Sequence, residues 1–254
     1  MVQTWSGDKF DYHGECDLVL VDNPTFANGM GLKIHIRTTR VNYFSYIERI
    51  AVMIGKDILE FGNDAENFLI NGAAVEGNRK HHKTRLGGFI VRREPRALSI
   101  CIHDEGLVSR LDHSVAKIDL HTRKNGFPAI VVDGGNTDVF QGSLGLIGEW
   151  ATGKRIARDG VTELYDPNDA TEFALEWQVR DDEPMLFQDS TRYPQYPQQC
   201  IPPQKMLSNR LGMSHMKKAA EEACAHWNED IEDCIFDVIA TRDVLVASEG
   251  SMVG

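Results

Sequence analysis

The chain has 254 residues, of which 42% are hydrophobic and 26% are charged, an ordinary composition for a globular protein with its own core. Its formal net charge of −11 argues against a nucleic-acid partner, because phosphate binding requires clustered Lys and Arg side chains. No apolar run reaches the length of a membrane-spanning helix, so we expect no membrane insertion. Residues 1–10 lack the basic and apolar regions of a signal peptide, which leaves either a cytosolic protein or a piece of a longer chain.

The first 150 residues predict a succession of short β-strands. In two stretches, 32–37 and 116–121, apolar residues alternate with polar ones. This period of two predicts strands with one face toward a core and the other toward water. In the first stretch, the face predicted to meet water includes His35 and Arg37.

A hairpin is predicted over residues 47–61, with Gly55 and Lys56 near its turn. Further strands are predicted around residues 89–92, 97–102 and 129–132. Many short strands separated by turn residues favour a sandwich of antiparallel sheets over a parallel α/β fold.

The second part of the chain predicts irregular structure followed by a helix. Residues 148–169 are polar, contain Gly and Pro, and predict a long ordered loop. The connector that follows is rich in proline: Pro184, Pro194, Pro197, Pro202 and Pro203. Apolar residues then recur at helical spacing from Met216 to Trp227, and Ser214 is the predicted N-cap.

The predicted fold class is mainly β: an antiparallel β-sandwich with a short C-terminal helical tail that carries cysteines. We place the sandwich in residues 1–180. Residues 181–254 then form the Pro-rich connector and the tail, which we expect to pack on the sandwich.

Three separated stretches carry short motifs. The first, residues 4–20, reads TWSGDKFDYHGECDLVL. The second contains GLIG at residues 145–148 and EWQV at residues 176–179. The third stretch begins with EPMLF at 183–187 and contains Cys200, Cys224 and DCIFDV at 233–238. In this order and at these distances they resemble the type D domain of von Willebrand factor, gel-forming mucins and related secreted proteins. The family motifs concerned are T-F-D-G with G-E-C, G-L-C-G-N with S-W-x-V, and a cysteine-bearing tail.

The resemblance implies two disulfide bonds. Cys16 matches a family cysteine that pairs with one just beyond the W-x-V strand, for which Cys200 is the candidate. Cys224 and Cys234 then pair locally, and Cys101 is expected to be an unpaired thiol. The alternative is five reduced, buried thiols, because free Cys packs like a small apolar residue.

The resemblance also implies a calcium site, between the Asp of T-F-D-G and oxygen ligands in the loop after G-L-C-G. In this chain Ser6 stands at the Asp position, Glu149 at the loop Asn and Ala151 at the next acidic position. Calcium requires six to eight oxygen ligands, so the set is depleted. The best remaining candidate ligands are Glu149 and Asp159, and the alternative is a solvated acidic loop.

No catalytic residues are predicted. No G-x-S-x-G motif supports a serine hydrolase, and the glycines of residues 142–148 lack the spacing of a dinucleotide-binding loop. His35, His103 and His121 lie on predicted strands and could converge across a sheet.

The expected function is a non-catalytic structural, adhesion or protein-interaction module of a secreted, matrix or cell-surface protein. Its expected partners are proteins or extracellular matrix, and the isolated domain should be a monomer. Two alternatives stay open. Some marine luciferases contain type D domains and oxidise an imidazopyrazinone, and vitellogenins carry a type D segment within a lipid carrier. A deep apolar pocket with convergent polar groups would favour the enzyme, whereas a filled core would favour the module.

Overall fold

The structure is a computed structural model that describes most of the chain. The described residues are 2–41, 44–62, 68–75, 84–94, 96–103, 115–123, 125–135, 137–166, 170–188, 200, 210–225, 231, 234, 235, 238, 239, 244 and 247. For residues 44 and 210–215 only the backbone is described.

The chain begins with two short paired strands and continues into a six-stranded antiparallel sheet. The small pair consists of β1 (Val2–Gln3) and β2 (Lys9–Phe10). The strands of the large sheet, in spatial as well as chain order, are β3 (Asp17–Asn23), β4 (Leu32–Val41), β5 (Phe44–Ile54), β6 (Asp57–Phe61), β7 (Phe68–Ile70) and β8 (Ala73–Val75). The predicted hairpin is present as β5 and β6, with Gly55 and Lys56 in the turn between them.

The second main sheet has five antiparallel strands, again neighbours in chain order. They are β9 (Thr84–Leu86), β10 (Phe89–Glu94), β11 (Ala97–Ile102), β12 (Ala116–Thr122) and β13 (Pro128–Asp133). The predicted fold class is therefore confirmed: the protein is mainly β, and its antiparallel sheets are consistent with a β-sandwich.

Alternate side chains of the two sheets belong to one apolar core. Ile34, Val52 and Leu59 from the large sheet and Ile100 and Ile118 from the second sheet are all fully buried within it. Burying a side chain of this size contributes roughly 1.5–3 kcal/mol, so this core is the main source of stability.

The outer face of β4 differs from the prediction. The pattern of residues 32–37 predicts that His35 and Arg37 meet water, but both are buried. The reason is that a later segment of the chain, residues 183–188, lies across this face of the large sheet. In β12 the same alternation is correct, because Lys117 is exposed and Asp119 is partly exposed.

Two later segments pair with the outer edge of β3. Leu144 exchanges two backbone hydrogen bonds with Asp22, with N–O distances of 3.0 and 2.7 Å. Farther along, the N–H of Val179 donates to the carbonyl of Asp17 at 2.9 Å. Because both segments bond to it, this edge of the sheet is not left open.

Gly145 lies where the first of these segments approaches β3 most closely. Its φ is +147°, and a Cβ at this position would collide with the backbone oxygen of Leu20. Only glycine fits there without a shift of the backbone. This requirement accounts for the first glycine of the GLIG stretch.

Three helices have bounds that the structure describes. They are a single turn, α1 (Phe26–Gly29), a short α2 (Thr171–Glu176) and α3 (Arg210–Ala223). The predicted N-cap is wrong, because α3 begins at Arg210 and Ser214 lies inside it. Arg, Leu and Met are good helix formers, so the helix extends beyond the apolar periodicity on which the prediction relied.

The loop predicted over 148–169 is ordered over its described part, residues 148–166, where Ile156 and Glu163 form an isolated bridge. Trp227 and four of the five predicted connector prolines, Pro194, Pro197, Pro202 and Pro203, lie outside the described residues. In the part of the chain that the structure describes, no helix is both long and apolar enough to cross a membrane.

The cysteine-bearing tail has a small core of its own. Ala220, Cys224, Cys234 and Val238 are buried together in it. Nearby, Ile239 packs against the cluster of Tyr46 and Phe127, whose rings stack at a centroid distance of 4.3 Å. Ile239 of the tail therefore contacts Tyr46 of the large sheet.

Candidate functional site

The two disulfide bonds have the pairings that the resemblance implied. Cys16 is bonded to Cys200 and Cys224 to Cys234. Cys101 is free and buried in β11. Burial raises the pKa of the Cys101 thiol, so it stays protonated and weakly reactive at neutral pH.

The first and second motif stretches meet in space. The N–H of Trp5 donates to the carbonyl of Ile147 at 3.0 Å. Gly153 contacts Ser6 so closely that a Cβ on the glycine would collide with the serine. The loop after GLIG therefore lies against the TWSG turn.

The two candidate calcium ligands are engaged in their own turns. The carboxylate of Glu149 accepts a hydrogen bond from Thr152 Oγ1 at 2.6 Å. Asp159 accepts from the side chain of Thr162 and from the backbone N–H groups of Thr162 and Val161, and these bonds lower the pKa of Asp159.

No group of three or more His, Cys, Asp or Glu side chains suited to a metal was found among the described residues, which leave out 167–169. Of the other loop residues with side-chain oxygens, Asp166 is exposed, while Asn168 and Asp169 lie outside the described residues. Calcium binding by Glu149 and Asp159 stays a prediction.

Residues 183–188, named the strap here, cross the outer face of the large sheet. Leu186 and Phe187 are buried against Ala51 of β5. At the end of the strap, the N–H of Gln188 donates to Glu60 Oε2 on β6 at 2.9 Å. The strap thus turns a sheet face that would meet water into a second, smaller core.

Polar side chains under the strap form a layer, and the sequence pattern had placed two of them, His35 and Arg37, in water. Arg37 donates from Nε and Nη2 to the two carboxylate oxygens of Asp17, at 2.6 and 2.8 Å. The guanidinium also lies 4.5 Å from the ring centroid of Phe187 in the strap. Glu60 is buried and accepts from Arg49 Nη1 at 2.6 Å. Each charge in this layer has a partner, which is the condition for tolerating charge at such burial.

His35 is the exception in this layer. It is fully buried, and neither of its ring nitrogens has a hydrogen-bond partner within the described residues. Burial lowers the pKa of His35 to about 3, although Glu183 nearby acts in the opposite direction. The imidazole is therefore neutral at physiological pH.

Arg158 joins the strap to the rest of the structure. It donates to the backbone carbonyls of Glu176 and Gln178 and to both carboxylate oxygens of Glu183. Its guanidinium lies 4.9 Å from the ring centroid of Trp177. Burial alone would raise the pKa of Glu183, but the hydrogen bonds from Arg158 and from the backbone of Arg180 lower it. Glu183 is thus held as a carboxylate at the start of the strap.

The three histidines on predicted strands, for which the sequence left convergence across a sheet open, do not converge. His35 belongs to the large sheet, whereas His103 and His121 belong to the second. In the second sheet, His121 is opposite Ala97 at the start of β11 and His103 follows the end of that strand. The two residues lie at opposite ends of one strand pair, so no histidine cluster forms from them.

A surface cleft of about 540 Å³ lies where the two sheets end together. It is lined by residues of α1 and by the start of β10, the end of β11 and the loop at 137–142. Sequence reasoning did not find it, because its walls come from segments more than a hundred positions apart. The one local signal was Asn28 beside Gly29, a pair of residues that tolerate left-handed backbone.

No protein-family profile matches this chain, and no curated protein matches it. The resemblance to the type D domain therefore rests on the short sequence motifs alone.

Proposed function

We propose that the chain is a non-catalytic structural or adhesion module, of type D kind, from a secreted, matrix or cell-surface protein. The observation that carries this proposal is the Cys16–Cys200 disulfide, which joins two residues 184 positions apart. Disulfides of this kind persist in oxidising, extracellular settings and are rare in the cytosol.

The placement of the motifs adds support. Trp5 bonds to Ile147, and the glycine of Gly145 permits the close approach to β3. The indole N–H of Trp177 donates to the carbonyl of Ile156 at 3.1 Å, which ties the EWQV stretch to the preceding loop. These contacts use the residues that carry the resemblance, and each has a packing role in which no chemistry is needed.

The module is favoured over a luciferase-like oxidoreductase because side chains fill the space between the sheets. The space between the sheets is occupied by apolar side chains with no accessible surface: Ile34, Val52, Ile100 and Ile118. The cleft lies at the end of the sandwich and is a surface feature. A small-molecule oxidase needs a pocket that excludes water from its reactive intermediate.

Disulfide mapping of the protein from its native source tests the extracellular assignment. Digestion without reductant and mass spectrometry should recover peptides linked through Cys16–Cys200 and Cys224–Cys234, with Cys101 alkylated as a free thiol. Protein reduced before digestion is the control. Five free thiols in the native sample would contradict the proposal.

A second experiment separates the module from the enzyme. Purified, disulfide-bonded protein is mixed with an imidazopyrazinone luciferin in air, and light emission is compared with that of heat-denatured protein. The module should give no light above the denatured control. Sustained emission that is lost on denaturation would replace the proposal with the oxidoreductase.

A further inference from the structure

The cleft has a rim that is held in place before any ligand arrives. Asn23, fully buried at the end of β3, donates from Nδ2 to the carbonyl of Gln141 and to Ser143 Oγ. Its Oδ1 accepts from both the backbone N–H and the hydroxyl of Thr25. One side chain thus ties the α1 wall of the cleft to the 137–142 wall. A rim fixed in this way lowers the entropy cost of binding.

The α1 wall is also strained. Ala27 and Asn28 both have positive φ values, +47° and +59°, within a single helical turn. Left-handed backbone is unfavourable at a residue such as alanine, because its Cβ comes too close to the following carbonyl oxygen. Backbone strain of this kind concentrates at binding sites, because the surrounding structure must enforce it. The turn places Asn28 at the rim of the cleft.

The lining divides into an apolar floor and a polar rim. Phe89, Ile102 and Val115 are part of the lining and are at least partly buried. The exposed part of the lining carries amides and a carboxylate, from Asn28, Gln141 and Asp138, together with hydroxyls. Neither Lys nor Arg is among the lining residues that the structure describes. The polar groups among the described lining residues are therefore amides, hydroxyls, a carboxylate and the imidazole of His103, which suit a ligand rich in hydrogen-bonding groups.

We propose that this cleft binds an uncharged pyranose, such as a hexose unit of a glycan. A pyranose has C–H faces that pack on an aromatic ring, here Phe89, and hydroxyls around its edge that bond to amides and carboxylates. The volume lies within the range of small-molecule sites, roughly 300–1,000 Å³. The inference adds a ligand to the proposed module and depends on it only for the extracellular setting in which glycans are met.

The test is saturation-transfer-difference NMR on the full, disulfide-bonded chain with a panel of methyl hexosides and methyl N-acetylhexosaminides. At least one sugar should receive saturation at millimolar concentration. Asn28→Gly removes the rim amide while suiting the left-handed backbone, and Asp138→Asn removes the carboxylate. Each should weaken binding about tenfold, the effect of losing one or two hydrogen bonds.

The matched control is Asp181→Asn, which neutralises an exposed carboxylate outside the cleft and should bind the sugar like the parent protein. Unfolding midpoints of all variants establish that each is folded. Absence of saturation transfer to every sugar, or equal binding by all variants, would overturn the proposal. So would binding of an apolar dye in the cleft without binding of any sugar. If the disulfides are present but no sugar binds, the sugar-binding proposal fails and the extracellular module stands. If the thiols are free but sugar binds, the extracellular proposal fails and the sugar site stands.

Discussion

Arg37 and Asp17 form a two-bond ion pair between neighbouring strands, and both side chains are buried under the strap. Such a pair is stable only while both members are present, because each neutralises a charge that water can no longer solvate.

Arg37→Leu should therefore lower the free energy of unfolding by about 3–5 kcal/mol, since it leaves the Asp17 carboxylate buried without a counter-ion. Urea denaturation at neutral pH measures the change. Lys33→Leu, in the partly exposed Lys33–Asp22 pair, is the control and should cost no more than about 1 kcal/mol. Equal losses in the two variants would show that Arg37 is not buried as described.

His35 predicts a dependence of stability on pH. Its pKa is about 3 in the folded protein and close to 6.5 in the unfolded chain, so between these values the unfolded chain binds more protons. The contribution is complete above pH 6.5 and is lost as the pH falls toward 3, by about 1.4 kcal/mol per unit.

His35→Leu removes this titration. Between pH 7 and pH 5 the parent protein should lose about 2 kcal/mol more than the variant. His121→Leu is the comparison: partial burial and Arg123 also lower the pKa of His121, so this variant should change the pH dependence in the same direction but less than His35→Leu. Parallel stability curves for parent and His35→Leu would mean that His35 is solvated.

We expect any side chain larger than hydrogen at position 145 to destabilise the protein. Gly145→Ala places a methyl group against the Leu20 carbonyl and should cost more than about 2 kcal/mol, from strain and from the shifted pairing with β3. Gly29→Ala has a positive φ but open space, so it should show the backbone strain alone, about 1 kcal/mol. Gly62→Ala, with neither feature, should be nearly neutral. Chemical denaturation measures the loss of unfolding free energy in each variant. The expected order is Gly145→Ala, then Gly29→Ala, then Gly62→Ala, and any other order would contradict this interpretation.

The two disulfides should differ in their effect on stability. In the chain-entropy treatment, a closed loop of 184 residues contributes about 5 kcal/mol and one of 10 residues about 3 kcal/mol. Cys16→Ser with Cys200→Ser should therefore cost more than Cys224→Ser with Cys234→Ser. Thermal unfolding without reductant compares the pairs, and a larger loss from the tail pair would count against the long closure.

The strands could be predicted from the sequence because apolar and polar residues alternate along them with a period of two. It failed on the outer face of β4 because alternation does not report what covers a polar side chain. His35 and Arg37 are buried by residues 183–188, which lie almost 150 positions later. Nothing in the local pattern encodes that contact.

Of the candidate sites, the disulfide bonds could be predicted from the sequence and the cleft could not. The disulfide pairings were implied by the resemblance to the type D family, in which a cysteine at the position of Cys16 pairs with one beyond the W-x-V strand. The cleft was not predicted, because it depends on Asn23 joining two walls that are distant in the chain. Individual residues such as Asn28 and Gln141 carry no signal until the fold brings them together.

The Cys16–Cys200 bond has a mechanical consequence. When the two ends of the chain are pulled apart, tension passes from residue 16 to residue 200 through one covalent bond. Strands β3 to β13 and the strap lie on the bypassed path, so they bear no load while the bond is intact. An adhesive protein could transmit force through this module without unfolding its sandwich, and a reductant would remove that protection.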